Sequence, residues 1–126
     1  MKLLHLTSVY PGYAEQFYKA NPQLLGKSYE EQAQIFFYDA FAWADSWKAA
    51  MRPIGYEVEE IVLNFTPMQQ AWAREHLPRP AEADLNDIAI EQIKHFAPDV
   101  LWFDENDAAL LQRIRDSVPG IRLILG

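Results

Sequence analysis

Apolar residues follow two rhythms along this chain, and the alternation between them predicts its architecture. Lys2–Ser8 is short and nearly continuous in apolar character (Leu3, Leu4, Leu6), the mark of a strand covered on both faces. Tyr10–Lys27 is broken by Pro11, Gly12, Pro22 and Gly26, which leaves a turn at Pro11-Gly12 and room for a short helix over Ala14–Ala20. From Ser28 the rhythm turns helical: Ala33, Phe36, Phe37, Ala40, Phe41, Ala44, Trp47, Met51 and Ile54 fall three or four apart. Ser28-Tyr29-Glu30-Glu31 has the capping-box spacing at its start, Pro53 disturbs its last turn, and Gly55 suits a left-handed cap. The aromatic residues of this helix stand at core spacing, so packing accounts for them better than a stacking platform does.

Tyr56–Asn64 alternates and is rich in β-formers, predicting a second strand. Thr66-Pro67-Met68-Gln69 supplies a cap, a proline at the first helical position and a capping-box glutamine for a helix through His76. Leu77–Asp84 reads as a surface connection inside one domain. Leu85, Ile88, Ala89, Gln92, Ile93 and Phe96 mark the inward face of the next helix, which Pro98 closes. Val100–Phe103 is a third buried strand. Asn106 or Asp107 caps a helix with an inner face of Leu110, Leu111, Ile114 and Val118, and Pro119-Gly120 turns into a fourth strand, Ile121–Leu125.

Strand alternating with helix implies an α/β fold: a Rossmann-like three-layer sandwich over a parallel sheet of four strands in the order 2-1-3-4, with residues 1–126 as one domain. The fourth strand is the last element, so one edge and one face of the sheet want a cover. The expectation is a carboxy-terminal domain of a longer two-domain protein, or a homodimer partner over the sheet edge.

Charge narrows the partners. The formal net charge is −7 and the basic residues are scattered among carboxylates, which argues against nucleic acid and against an anionic membrane surface. No cysteine is present, excluding disulfides, thiolate zinc sites and cysteine nucleophiles. No signal-peptide pattern and no membrane-length apolar run occurs, so a soluble, cytoplasmic domain is expected.

In open α/β sheets ligands bind beyond the carboxyl ends of the strands. That rule collects Thr7, Ser8 and Tyr10 after strand one, Asn64 after strand two, Asp104, Glu105 and Asn106 after strand three, and Gly126 after strand four. Tyr10 and Tyr13 can stack on a sugar or base ring, and Gly12 permits close approach to the backbone; the plainer alternative is a turn with tyrosines packed beside it. Asp104 and Glu105 are adjacent, so in extended backbone they face opposite ways and form no dyad. A carboxylate there can bind a hydroxyl-rich substrate, hold a metal or, its ordinary role, cap the next helix. His5 fits a hydrogen-bonded core histidine, His76 and His95 suit helix C-termini, and the three show no metal-ligand spacing. The glycine-rich dinucleotide and P-loop patterns and the Gly-x-Ser-x-Gly elbow are missing. No acidic pair of the receiver kind follows strand one, and its loop lacks a cobalamin-binding histidine.

Three segments together resemble the amino-terminal domain of GT-B-type glycosyltransferases. They are Lys2-Leu3-Leu4-His5-Leu6-Thr7-Ser8, Gly55-Tyr56-Glu57-Val58 and Ala97-Pro98-Asp99-Val100-Leu101, similar to that group's "K-I-L-H-L", "G-H-E-V" and "P-D-V". Tyr10-Pro11-Gly12-Tyr13, Phe17-Tyr18 and Ser28-Tyr29-Glu30-Glu31-Gln32 are similar to a bacterial subgroup with a long insertion after strand one. The resemblance implies an acceptor-side domain. The nucleotide-sugar donor then binds mainly to a carboxy-terminal domain, no metal or other cofactor is bound, and this chain alone is inactive. Ser8, Tyr10, Gly12, Tyr13, Asn64, Asp104 and Glu105 are the expected cleft residues, with no catalytic base assigned. Two other readings stand beside it: a non-enzymatic flavodoxin-like binding or regulatory domain acting through protein contacts, and a small-molecule enzyme using the turn after strand one.

Overall fold

The first strand takes an interior place in the sheet. In the computed structural model, which describes residues 1–39 and 46–126, β1 (Lys2–Thr7) lies between β2 (Glu57–Val62) and β3 (Val100–Phe103). β4 (Leu123–Leu125) adds outside β3, so the order is β2-β1-β3-β4 and every pairing is parallel. The fold is the Rossmann-like α/β sandwich that the alternation implies.

Alternation along β1 assigns its two faces. Leu4 and Leu6, with Ile61, Leu101 and Phe103, bury against α5 (Leu85–Phe96) and α6 (Ala108–Ser117) through Ile90, Ile93, Leu110 and Ile114. Leu3, Val58 and Val100 stand in one row of the register, with Trp47 and Met51 of α3 (Ser46–Met51) packed over them. A third cluster lies past the end of β2. There Phe17 and Tyr18 of α1 (Pro11–Ala20), Phe36 of α2 (Tyr29–Asp39) and Met68 of α4 (Thr66–His76) surround Phe65.

Several boundaries differ from the sequence expectations. Pro11 starts α1 at its first helical position, so Gly12 and Tyr13 lie in a helical turn that runs on to Ala20. The helix expected from Ser28 to Gly55 is described on either side of residues 40–45, as α2 and α3, and its end is a 3-10 turn, Arg52–Ile54, closing on Gly55 at φ 93°. Ala40, Phe41 and Ala44 lie outside the described residues. Its expected single face divides: Ala33 and Phe36 join the Phe65 cluster, Trp47 and Met51 cover the sheet, and Ile54 is exposed. A helical period fixes a face but not what that face meets.

Thr66 is not a cap. It is the first residue of α4, and the Gln69 side chain is buried against α5 instead of reaching back to the backbone. The reciprocal box occurs one helix later, where Asp84 Oδ1 accepts from Asp87 N–H at 2.8 Å and Asp87 Oδ2 accepts from Asp84 N–H at 3.0 Å. Arg113 donates to Asp87 at 2.7 Å, tying α6 to α5, and this guanidinium holds the Asp87 carboxyl below its ordinary value. Ala97 ends α5 in the left-handed conformation that glycine usually supplies, just ahead of Pro98.

Candidate functional site

The register that pairs Leu6 with Phe103 continues into chemistry. One step further, the hydroxyls of Thr7 and Ser8 meet the carboxyls of Asp104 and Glu105. Thr7 Oγ1 donates to Asp104 Oδ2 at 3.3 Å, and Ser8 Oγ donates to Glu105 Oε1. The chain bends at Glu105, past the end of β3, and the two carboxyls accept from different hydroxyls. Neither caps α6; Asp107 does, accepting from Leu110 N–H at 2.9 Å. The sequence alternative of Asn106 or Asp107 resolves to Asp107.

Behind Asp104 lies His5, 1% exposed, with Nε2 3.7 Å from Asp104 Oδ2 and Nδ1 3.8 Å from Glu60 Oε2. Trp47 and Trp102 meet the imidazole edge-on. The core placement expected of His5 holds. Its row carries a buried carboxylate as well, because the register sets Glu60 directly opposite. β2 carries three glutamates; Glu57 and Glu59 alternate outward, and Glu60, which falls on the inward alternation of Val58, is the signal that sequence reading passed over.

Asn64 has a structural task. Its Oδ1 accepts from Val9 N–H at 3.0 Å and its Nδ2 donates to the Val9 carbonyl at 2.6 Å, so the amide extends the sheet by one side chain and fixes the loop between β1 and α1. Tyr13 is half-buried and packs on Phe17, Phe36 and Phe65. Tyr10 does the opposite: it is 77% exposed at the head of α1, one residue from the Pro11-Gly12 turn. Nothing lies within 4 Å of the space a side chain on Gly12 would occupy, so Gly12 leaves the backbone approachable. Gly126 is packed so closely on the Phe103 carbonyl that a side chain would collide with it. The structure therefore gathers Ser8, Asp104 and Glu105 at the rim, leaves Tyr10 and Gly12 exposed where the chain enters α1, and packs Asn64 and Tyr13 against neighbouring structure.

The rim is acidic. Burial pushes the Glu105 carboxyl above its ordinary value, the Ser8 hydrogen bond opposes that, and the nearby charges of Asp104 and Asp107 add to it. Ionised Glu105 is thus a cost to the folded state at neutral pH, and that cost disappears below the unfolded carboxyl value. Glu105→Gln, which keeps an acceptor for Ser8, is expected to raise the melting temperature at pH about 7 and to leave it unchanged below pH about 4. Melting curves of both proteins across that range measure the difference.

A larger cleft, about 890 Å³, lies along the outer edge of β2 and shares no residue with this rim. Its walls include Tyr29, Glu57, Glu59, Trp72, His76 and His95. Three of these groups are held locally: Lys48 pairs with Glu59 at 3.3 Å, and His76 stacks on Trp72 with its Nδ1 2.9 Å from the Trp72 carbonyl. His76 and His95 both stand in last helical turns, as expected. Among the described residues no three His, Asp or Glu side chains are grouped to hold a metal ion, and no helix is long and apolar enough to cross a membrane.

These features define the class, a Rossmann-like α/β domain with a carboxylate-and-hydroxyl rim at the carboxyl ends of β1 and β3. Compared with known proteins, the chain matches no family model, no curated protein and no solved structure.

Proposed function

We propose that this chain is the acceptor-side wall of a GT-B-type glycosyltransferase cleft in the cytoplasm, working with a domain that binds the nucleotide sugar. The observation that carries the reading is the chemistry of the rim. Ser8, Asp104 and Glu105 offer hydrogen-bond acceptors and negative charge, which suit sugar hydroxyls and repel the phosphates of a donor. Tyr10 adds an exposed ring able to lie against a sugar face. The resemblance in the Lys2–Ser8, Gly55–Val58 and Ala97–Leu101 segments supplies the class of reaction, and the absence of cysteine fits a reducing compartment.

Saturation-transfer NMR of the chain with a panel of methyl glycosides tests the assignment. Binding is expected, with Asp104→Asn weakening it about tenfold to a hundredfold, the worth of one charge-assisted hydrogen bond. Absence of glycoside binding, or turnover of a nucleotide sugar by this chain alone, would sink it.

A specific feature favours the second reading, a binding or regulatory domain acting through protein contacts. β4 is an edge strand with Leu123 and Leu125 exposed, a surface suited to another polypeptide. A stable homodimer in sedimentation, dispersed by Leu123→Lys, together with no response to glycosides, would favour it.

A further inference from the structure

The cleft along the outer edge of β2 has walls of a different chemistry from the rim's. Among the described residues, five glutamates line it against three basic side chains. Two of those bases are already committed. Lys48 Nζ pairs with Glu59 at 3.3 Å and lies 5.2 Å from the centre of the Phe37 ring. Lys2 Nζ donates to the Phe96 carbonyl at 3.1 Å and lies 5.1 Å from the centre of that ring. The chain's own ammonium groups thus rest on aromatic walls of the cleft, in the geometry of a cation–π contact. Glu57 and Glu75, in contrast, are exposed and have no basic partner among the described residues.

Tyr29, the first residue of α2, stands close to two of the carboxylates. Its N–H donates to Glu75 Oε1 at 2.9 Å, and the charges of Glu59 and Glu75 both act on its phenol. Burial first, and then those two charges, hold the hydroxyl well above the ordinary tyrosine value, so it remains neutral. Among the described residues this hydroxyl has no hydrogen-bond partner, and it lines the cleft.

We propose that the cleft binds a linear aliphatic diamine, one ammonium beside Tyr29 within reach of Glu59 and Glu75, the other at Glu57. The proposal goes beyond the acceptor-side reading and does not depend on it. Glu57 and Glu59 alternate to the same side of β2, so their side chains leave the strand about 6–7 Å apart, close to the span of a four-carbon diamine. The cleft, at about 890 Å³, falls within the range of about 300–1,000 Å³ typical of small-molecule sites. A phosphate or carboxylate ligand would meet the uncompensated charges of Glu57 and Glu75.

Calorimetric titration with 1,4-diaminobutane and with butylamine tests the proposal, and NMR shifts locate the site. The diamine is expected to bind about tenfold more tightly, the worth of one more charge-assisted hydrogen bond. Glu57→Gln should remove that advantage and leave butylamine unchanged, whereas Glu75→Gln should weaken both amines about tenfold. Both positions are exposed, and glutamine at 75 keeps an acceptor for the Tyr29 N–H, so the fold should persist. Glu82→Gln, at an exposed position outside the cleft, should change nothing. Shifts are expected at Tyr29 and Trp72. Equal affinity for the two amines, equal losses from Glu82→Gln and Glu75→Gln, or shifts centred elsewhere would overturn the proposal. Binding would then reflect only general attraction to a chain of net charge −7. Glycoside binding at the rim is measured separately, and neither result alters the other.

Discussion

Phe65→Ala is expected to destabilise the domain by about 3–5 kcal/mol, the range for deleting a buried aromatic side chain. Phe65 is fully buried, and its ring centroid lies 4.5 Å from that of Phe36, 5.2 Å from Tyr18 and 5.3 Å from Phe17. Those rings come from α1 and α2, while Phe65 itself precedes the first turn of α4. One ring thus joins three helices, and no single side chain can move in to fill its place. A domain of this size has a total stability of about 5–15 kcal/mol, so the variant should be marginal. Urea denaturation measures the loss. Because Phe65 adjoins Asn64, whose amide clamps Val9, the NMR signals of Val9 and Tyr10 should broaden or shift before global unfolding. A cost under about 1 kcal/mol would mean that the aromatic cluster repacks freely, contrary to the close packing expected of protein interiors.

The second large effect is an asymmetry between single and double replacements. Gln69 of α4 and Gln92 of α5 are buried and exchange both hydrogen bonds, Gln69 Nε2 to Gln92 Oε1 at 2.6 Å and Gln92 Nε2 to Gln69 Oε1 at 3.2 Å. Gln69→Leu or Gln92→Leu alone strands a buried amide and should cost about 1–3 kcal/mol. The double variant removes both amides, keeps nearly the same volume, and should lie within about 1 kcal/mol of the natural protein. A double-mutant cycle from chemical denaturation would report the coupling. If the two single costs simply add, the amides do not depend on each other.

These two contacts show where sequence reading stops. Gln92 was legible as an inward-facing position of α5, but nothing local says that its partner is Gln69, which the sequence suggests is a capping residue. A capping box and a buried amide pair draw on the same residue type, and only the packing of α4 on α5 chooses between them. The box at Asp84 and Asp87 went unread because aspartate stands where the usual motif has glutamate or glutamine. Tyr13 and Tyr10 are alike in the sequence. The helical turn begun by Pro11 sends Tyr13 into the aromatic core and leaves Tyr10 outside.

The rim itself was partly legible. Strand ends identify Ser8, Asp104 and Glu105, and their pairing follows once β1 and β3 are neighbours in register, with Leu6 opposite Phe103. The contact of buried His5 with Glu60 on one side and the exposed Asp104 on the other needed that register too, since β2, β1 and the residue after β3 supply the three groups. By itself the sequence determined the order of strands and helices, the parallel sheet and the end of the sheet where the hydroxyl and carboxylate side chains lie, because periodicity and punctuation are local properties of the chain. Tertiary structure alone decided which side chains pair at the rim and which pack beneath it, because hydrogen-bond reach and burial depend on neighbours nearly a hundred residues away, as between Thr7 and Asp104.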